Sequence, residues 1–594
     1  MNDIRRTILW VIFGFSMVML WDQWQVYNGK KATFFPGPAQ QTASVPVAAS
    51  ASAASTPNGA LPSAGGTVPQ LPVSAETAVA PSERIVVTTD VLKLTFDTDG
   101  GSLVGTEFLK QVDLADHSKN VVLLEDSKDH FYKAQSGLLS SAKDLVLPSH
   151  TAPMVMSGEH VLKEGEKELV VTFTSQEMGG VKLVKTYTLR RGAYDIAVKH
   201  AVTNTGAAAV SPDLYLQLVR DGNIPISKTP PPKLLQWFGV KNTPSFSSTF
   251  TGAAVYTDTK KYQNFEFAKI KKMKGTDPAK TGDYEQNSTS GFVAMVQHYF
   301  ASAWILPDGV ARTNALTTFE IPGSTVPDCC YRVSMRVSMD AIAPGATKTV
   351  DATLFAGPQE EKVLEALSPG LELVKDYGWL RTLAKPLYWL LDALHSLIGN
   401  WGWSIIALVL LIKIAFYWLN AKAYASMAKM KAVSPKITEM RERLKDNPQQ
   451  MQQEMMRIYR EEKVNPMGGC FPIMVQIPVF IALYNVLLSS VEMRNAPWAM
   501  WITDLSSLDP FFILPLIMTA TTLLQTALNP TPPDPMQAKM MWLMPLIFSV
   551  MFFFFPAGLV LYWITNNVLS IAQQWIINTR MGVPPQFNLP WKAK

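Results

Sequence analysis

The chain has little of what most catalytic and covalently braced proteins need. It carries three cysteines in 594 residues; Cys329 and Cys330 are adjacent, which strains a bridge between them, and Cys470 stands alone. That pattern supplies neither a disulfide framework nor zinc-ligand spacing. Neither H-E-x-x-H nor a P-loop occurs, which removes the motif-borne metalloprotease and nucleotide chemistries. Charged residues make up only 17%, and the net charge of +5 is small for this size, so nucleic acid is not implied. What is abundant is apolar: 48% hydrophobic residues, 16 Trp and a mean hydropathy of +0.09. The apolar residues gather at the N-terminus and after Trp401, the distribution of a membrane protein.

Ile8 to Leu20 form an apolar run behind Arg5 and Arg6, with no A-x-A site beside it. The segment 1–25 therefore reads as an uncleaved transmembrane anchor, its N-terminus in the cytoplasm and Trp21 and Trp24 at the outer interface. Residues 26–82 are rich in Ala, Ser, Pro and Gly and lack the large side chains that offset chain entropy, so a flexible tether is expected. Over 83–357 the texture changes to "RIVVTTDVLKLTF", "KELVVTFTS" and similar runs with Asp-Gly, Gly-Gly and Arg-Gly punctuation. This predicts a large antiparallel β-sandwich. Within 370–399, Leu387, Leu390, Leu391, Leu394, Leu397 and Ile398 share one helical face flanked by Tyr388 and Trp389. That suits an interfacial amphipathic helix; an ordinary helix packed on the β domain is the alternative.

Five apolar spans follow in the region 400–578: about 401–419, 471–488, 511–528, 541–555 and 559–577. A span needs roughly 20 residues to cross a hydrocarbon core, and the fourth is short enough to call for local bilayer thinning. Between the first two lie Lys422, Lys429, Lys431, Lys436, Arg441, Arg443, Lys445, Arg457, Arg460 and Lys463, whereas the next connection holds only Arg494. The positive-inside rule puts 422–465 in the cytoplasm. With the anchor this predicts six transmembrane helices, both termini inside (the tail being 579–594) and the β domain outside. Residues 422–465 read as a helical hairpin whose second helix opens at Asn447, Pro448 and Gln450. Its methionines, Met430, Met440, Met451 and Met455 among them, either offer an adaptable docking face or pack the hairpin together.

No Asp, Glu or His falls within the five spans, which argues against a proton relay. One lysine does. Counted along the helix, Lys413 lies about 9 Å from the cytoplasmic end of its span. Gln476, Gln525, Asn567, Gln573 and Gln574 place polar groups on other spans, in the inner half or near the middle of the membrane. Lipid-facing polar groups are costly, so a groove open to the cytoplasm explains the set; isolated snorkelling of Lys413 is the alternative. A Ser–Lys hydrolase is disfavoured because Ser404 lies about 13 Å away along the helix. A channel or transporter using the same polar interior remains a rival, although polar residues thin out in the outer half apart from Asn485.

"EEKVNPMGGCFPIMVQIPVFIALYNVL" and "FPAGLVLYWITNNVLSIAQQW" resemble signature stretches of the YidC family of membrane protein insertases, and "SMAKMKAVSPKITEMRERLKDNPQQ" is similar to that family's cytoplasmic hairpin. The resemblance covers essentially the whole chain, in the Gram-negative form with a periplasmic domain. It implies a non-enzymatic, cofactor-free insertase and folding chaperone of the bacterial inner membrane. The implied architecture is a five-helix core with a hydrophilic inner-leaflet groove and a periplasmic β-supersandwich. The implied partners are nascent membrane proteins and the lipid bilayer, the Sec translocon, and, through hairpin and tail, the ribosome and the signal recognition particle receptor. Client segments would slide past Ile473, Met474, Ile477 and Pro478, and Phe555, with Tyr562 and Trp563 nearby. Two departures stand out. Lys413 occupies the place of the family's usual arginine, keeping charge without the planar fork, and Trp418 stands where a proline is frequent, so a kink there is not expected. Because the polar cluster lies after Trp401, the β domain is expected to be dispensable for insertion.

Overall fold

The computed structural model describes residues 82–114, 116–127, 130–140, 145–223, 250–273, 284–319, 330–444, 447–462, 471–529, 535–580, 582 and 587; the expected anchor and tether lie outside them. Alternation builds the first part. In Glu168–Ser175 and Val181–Arg190 every second side chain is buried, the period-2 signature of a strand with one face on a core. Such strands assemble into two nine-stranded antiparallel sheets. One runs from edge strand Arg84–Thr88 to edge strand Tyr284–Ser288, with Phe131–Leu139, Asp213–Arg220 and Tyr331–Ser338 adjacent near its centre. The other runs from Lys261–Glu266 to Met154–Gly158, with Phe300–Ile305, Thr347–Pro358 and Asp195–Asn204 adjacent. The sheets share one core that includes Phe96, Phe108, Phe173, Tyr187 and Trp304. The tight turn at Gly100 (φ 68) needs glycine twice over, for its backbone and because a Cβ would lie 2.4 Å from His150 backbone. Cys330 is disulfide-bonded and buried, with φ 111.

Ten helices are described: α1 (Phe267–Met273), α2 (Glu361–Leu367), α3 (Arg381–Ile398), α4 (Trp401–Ala415), α5 (Tyr417–Arg443), α6 (Pro448–Glu461), α7 (Phe471–Ser489), α8 (Ile513–Leu528), α9 (Pro535–Met551) and α10 (Ala557–Arg580). α3 stops at Gly399 (φ 73), whose N–H bonds to the His395 carbonyl at 2.7 Å. Asn400 then starts α4 by accepting the Trp403 N–H at 3.1 Å. The stop and the start thus need one glycine and one asparagine. Asn447 caps α6 through the Gln450 N–H, with Pro448 in the first turn. α3 packs on α4 and α7 with Ala384, Tyr388 and Leu391 buried and Trp389 and Leu397 exposed. Its apolar stripe therefore divides between the bundle and the surface.

The first span departs from the straight helix 401–419. It breaks at Phe416 (φ −92, ψ 11), and Tyr417 begins a separate helix that continues into the hairpin, bent by 65°. No proline is involved. Phe416 leaves the helical basin, and past the bend Trp418 is exposed with the Lys422 ammonium 3.7 Å over its ring, an aromatic–cation pair. Among the described residues no single helix is long and apolar enough to cross a membrane. The bent pair passes together, and Val475–Ser489, Ile513–Leu528 and Ala538–Phe554 are apolar but shorter.

The β domain holds two buried histidines, His150 and His200, and a half-buried one, His298. Burial holds His150 and His200 at about 3 and His298 at about 4, below the ordinary 6.5. Their folded values are depressed, so the unfolded chain takes up protons first. The stability they contribute is complete above pH 6.5 and falls as pH drops toward 4, by roughly 2 kcal/mol for each by pH 5. Thermal melts of the protein should therefore show the β-domain transition moving down steeply between pH 7 and pH 5. Phenylalanine at His200 should shallow that slope, and an unchanged slope would mean that His200 is protonated in the fold.

Candidate functional site

Lys413 stands in the last turn of α4, where a cation complements the helix dipole. It is 6% exposed, and its Nζ donates to Ser570 Oγ on α10 at 2.7 Å. Ser570 Oγ in turn donates to the Asn566 carbonyl at 2.6 Å, leaving its lone pairs toward the ammonium. No carboxylate pairs with Lys413 among the described residues. A small cavity lies beside it, walled by Val409 and Ile412 from α4, Phe416 at the break after it, Val475, Gln476 and Val479 from α7, and Tyr562 and Asn566 from α10. Lys413 and Gln476 thus face one space enclosed by three helices.

α10 carries two polar faces. Asn566, Ser570 and Gln573 recur at helical spacing toward α4 and α5, where Gln573 Oε1 accepts from Asn420 Nδ2 at 3.2 Å. Asn567 and Gln574, seven residues apart, point toward α8. Asn567 Nδ2 donates to Thr522 Oγ1 at 2.8 Å and Thr521 Oγ1 at 3.2 Å, and Gln574 Nε2 donates to the Leu528 carbonyl at 3.3 Å. Asn567 therefore ties α10 to α8 and does not share the cavity of Lys413. Gln525 lies half-buried on α8, outside both networks. Ser570, Asn566 and Asn420 were absent from the sequence-derived set. The signal was available for the first two, because they fall on the Gln573 face of one helix; Asn420 needed the bend at Phe416.

The apolar residues sort by depth. Ile477 is 50% exposed, while Phe555 and Tyr562 are buried. Phe480 of α7 stacks on Tyr562 at 6.0 Å and meets Trp563 edge-on at 4.8 Å; Tyr484 meets Phe555 at 5.9 Å. These aromatics close the α7–α10 seam outward of the cavity. Pro478 is half-buried inside α7; the side chains of Ile473 and Met474 lie outside the described residues. In the hairpin, Met440 joins Val433 and Ile437 in a buried seam against which Met430, Met451 and Met455 pack. Met456, by contrast, is exposed, at 47%. Around the bundle, Leu411, Ile414, Leu516, Ile547, Phe548 and Val550 are exposed, an apolar surface suited to lipid.

Known proteins share this arrangement of domains. Residues 84–390 match the family described as "YidC periplasmic domain" and residues 393–583 the family described as "60Kd inner membrane protein". The membrane protein insertase YidC of Cupriavidus necator is 52% identical over 98% of both chains, and that of Ralstonia nicotianae is 50% identical over the same shares. The chain belongs to the YidC family of membrane protein insertases. A crystal structure titled as an active YidC insertase with its first transmembrane domain resolved is 18% identical, covers 83% of this chain and 94% of that chain, and has a TM-score of 0.35. As a YidC family member the protein is a non-enzymatic inner-membrane insertase with a periplasmic β-sandwich and a helical C-terminal region.

Ser570 is the only hydrogen-bond acceptor that Lys413 has among the described residues. Alanine at Ser570 should lower the stability of the detergent-solubilised protein by about 1–3 kcal/mol. The Lys413→Met, Ser570→Ala double variant should recover part of that loss. Strictly additive losses in thermal unfolding would show that the contact carries no coupling.

Proposed function

We propose that the cavity beside Lys413 is the floor of a hydrophilic groove open to the cytoplasm, which receives the polar flank of a nascent membrane protein while its apolar segment moves into lipid. The observation that carries this reading is the buried ammonium with a hydroxyl and, among the described residues, no carboxylate as its partner. A fully neutralised lysine would have nothing left to offer a client, whereas this one keeps a net charge at the enclosed end of a polar space. At 4 Å its attraction for a carboxylate is about 1 kcal/mol in water and about 4 kcal/mol at an effective dielectric of 20. A semi-aqueous groove lies between, which permits capture without trapping. Gln476, Asn566, Gln573 and Asn420 supply neutral donors and acceptors beside it. Asn567 and Gln525 serve the reading less directly, Asn567 as a brace.

The topology proposed is six transmembrane helices, five of them forming the core, with both termini cytoplasmic and the β domain periplasmic. The bend at Phe416 and the short apolar helices support a locally thinned bilayer, which shortens the path of the hydrophilic segment. Release of the client's apolar helix into lipid drives the step. Ile473, Met474, Ile477 and Pro478 on α7, with Phe555, Tyr562 and Trp563 across the seam, form the exit surface. The hairpin receives chains from the ribosome and the signal recognition particle receptor, with Met456 and its basic faces outermost, and the Sec translocon is the partner for larger clients. A channel through the same interior is disfavoured, because Phe480, Tyr484, Phe552 and Phe555 close the outward end of the cavity.

Lys413→Arg should insert clients normally in liposomes, since charge and reach survive. Lys413→Met should impair clients whose translocated tail carries Asp or Glu, with uncharged tails less affected. Equal insertion of both by the Lys413→Met protein would remove the electrostatic role. A photo-crosslinker at Met456 should capture ribosome-bound nascent chains more strongly than one at buried Met440; adducts within the protein alone, from both sites, would assign the methionines to hairpin packing.

A further inference from the structure

Three separate pieces of the β domain and its C-terminal extension converge on the outer end of α7 and the loop behind it. At the tip of the hairpin formed by Phe292–Gln297 and Phe300–Ile305, His298 Nε2 donates to the carbonyl of Leu488 at 2.9 Å. That carbonyl is one of the last-turn acceptors a helix cannot satisfy internally, so the β domain caps α7. Arg494 Nη2 donates to the carbonyl of Val112 at 2.8 Å, and its guanidinium lies 5.2 Å over the rings of both Tyr299 and Phe300. Lys375 is fully buried. Its Nζ is 3.3 Å from Glu492, 4.0 Å over the Tyr388 ring and 5.5 Å over the Tyr377 ring. Tyr388 donates to the same carboxylate at 2.6 Å, and Asn485 Nδ2 donates to the Tyr377 carbonyl at 3.1 Å.

The inner half of α7 has a different character. Ala482, Leu483 and Val486 through Ser490 are buried, while Val475 to Ile481 are half-buried or exposed. Pro478 sits in the middle of that less buried stretch, one turn inward of Ala482 and inside the helix. It removes one backbone bond and crowds the carbonyl four residues earlier, the usual origin of a helix hinge.

We propose that the β domain and its C-terminal extension clamp the outer half of α7 through His298, Lys375–Glu492 and Arg494, and that α7 swings only inward of Pro478 when a client passes. Lys375, Glu492 and His298 are then positioning residues, and the β domain contributes to insertion, against the expectation that it is dispensable. The part about client passage rests on α7 forming the exit surface; the clamp itself does not.

The clamp is tested first without any client, by hydrogen exchange on the full-length protein in nanodiscs. Lys375→Met combined with Glu492→Gln removes both charges at similar volume. Exchange of Leu483–Ser490 should accelerate about tenfold or more, with Ile513–Leu528 unchanged. Unchanged exchange, or equal acceleration throughout the bundle, would overturn the clamp. The swing is tested by insertion. In a Cys470→Ser background, cysteines at Asp113 and Asn495, which flank the Val112–Arg494 contact, are joined by a short bismaleimide. Locking the junction should leave the insertion rate within about twofold of the unjoined protein, because a static junction has nothing to lose; a larger loss shows that the outer end must move and overturns the proposal. Pro478→Ala should slow insertion severalfold with exchange of Leu483–Ser490 unchanged, and an unaltered rate removes the hinge.

Discussion

Burying the ammonium of Lys413 against a hydroxyl, with no carboxylate among the described residues to neutralise it, is the constraint around which the helical region is arranged. An unpaired charge in hydrocarbon is tolerated only where polar groups or water replace its hydration. α10 provides the polar groups from one face, Ser570 at the charge and Gln573 one turn inward. α7 provides Gln476 across the cavity. The cavity exists because three helices meet where one of them carries a charge that cannot be packed over with leucine.

α10 answers that demand without loosening the bundle. Its second polar face, Asn567 and Gln574, grips threonines and a helix-end carbonyl of α8, so polar residues serve two opposed purposes on one helix. Bonds of this kind give each helix pair a definite register where lipid supplies no hydrophobic force between helices. Outward of the cavity the seam changes to aromatic contacts, and further out to buried Lys375, its half-buried partner Glu492 and their tyrosines. The bundle thus grades from polar and hollow to aromatic and closed, and ends anchored on the β-sandwich.

Much of this was legible beforehand because it depends on local periodicity. Alternating runs such as "KELVVTFTS" declare one buried face whatever they pair with, and the Asn447–Pro448 start of α6 needs only its own first turn. Depth along a helix is arithmetic, which is why Lys413 could be singled out. Three features resisted. The bend at Phe416 involves no proline or glycine. Met430, Met440, Met451 and Met455 pack the hairpin because of how two helices face each other, which their spacing alone left open. Lys375 and Glu492 lie 117 positions apart, and each alone reads as an ordinary surface charge.

The sequence by itself determined the division into a β-sandwich and an apolar helical region, the identity of the buried charge and the membership in the YidC family, because these rest on periodicity, composition and contiguous motifs. The tertiary structure alone decided which polar residues share a space. Gln476 and Ser570 meet Lys413, and Asn566 lines their cavity, while Asn567 turns away to α8, a difference of about 100° between adjacent residues of one helix. Rotation of a helix about its axis is fixed by packing against its neighbours, and no residue's own chemistry carries that angle.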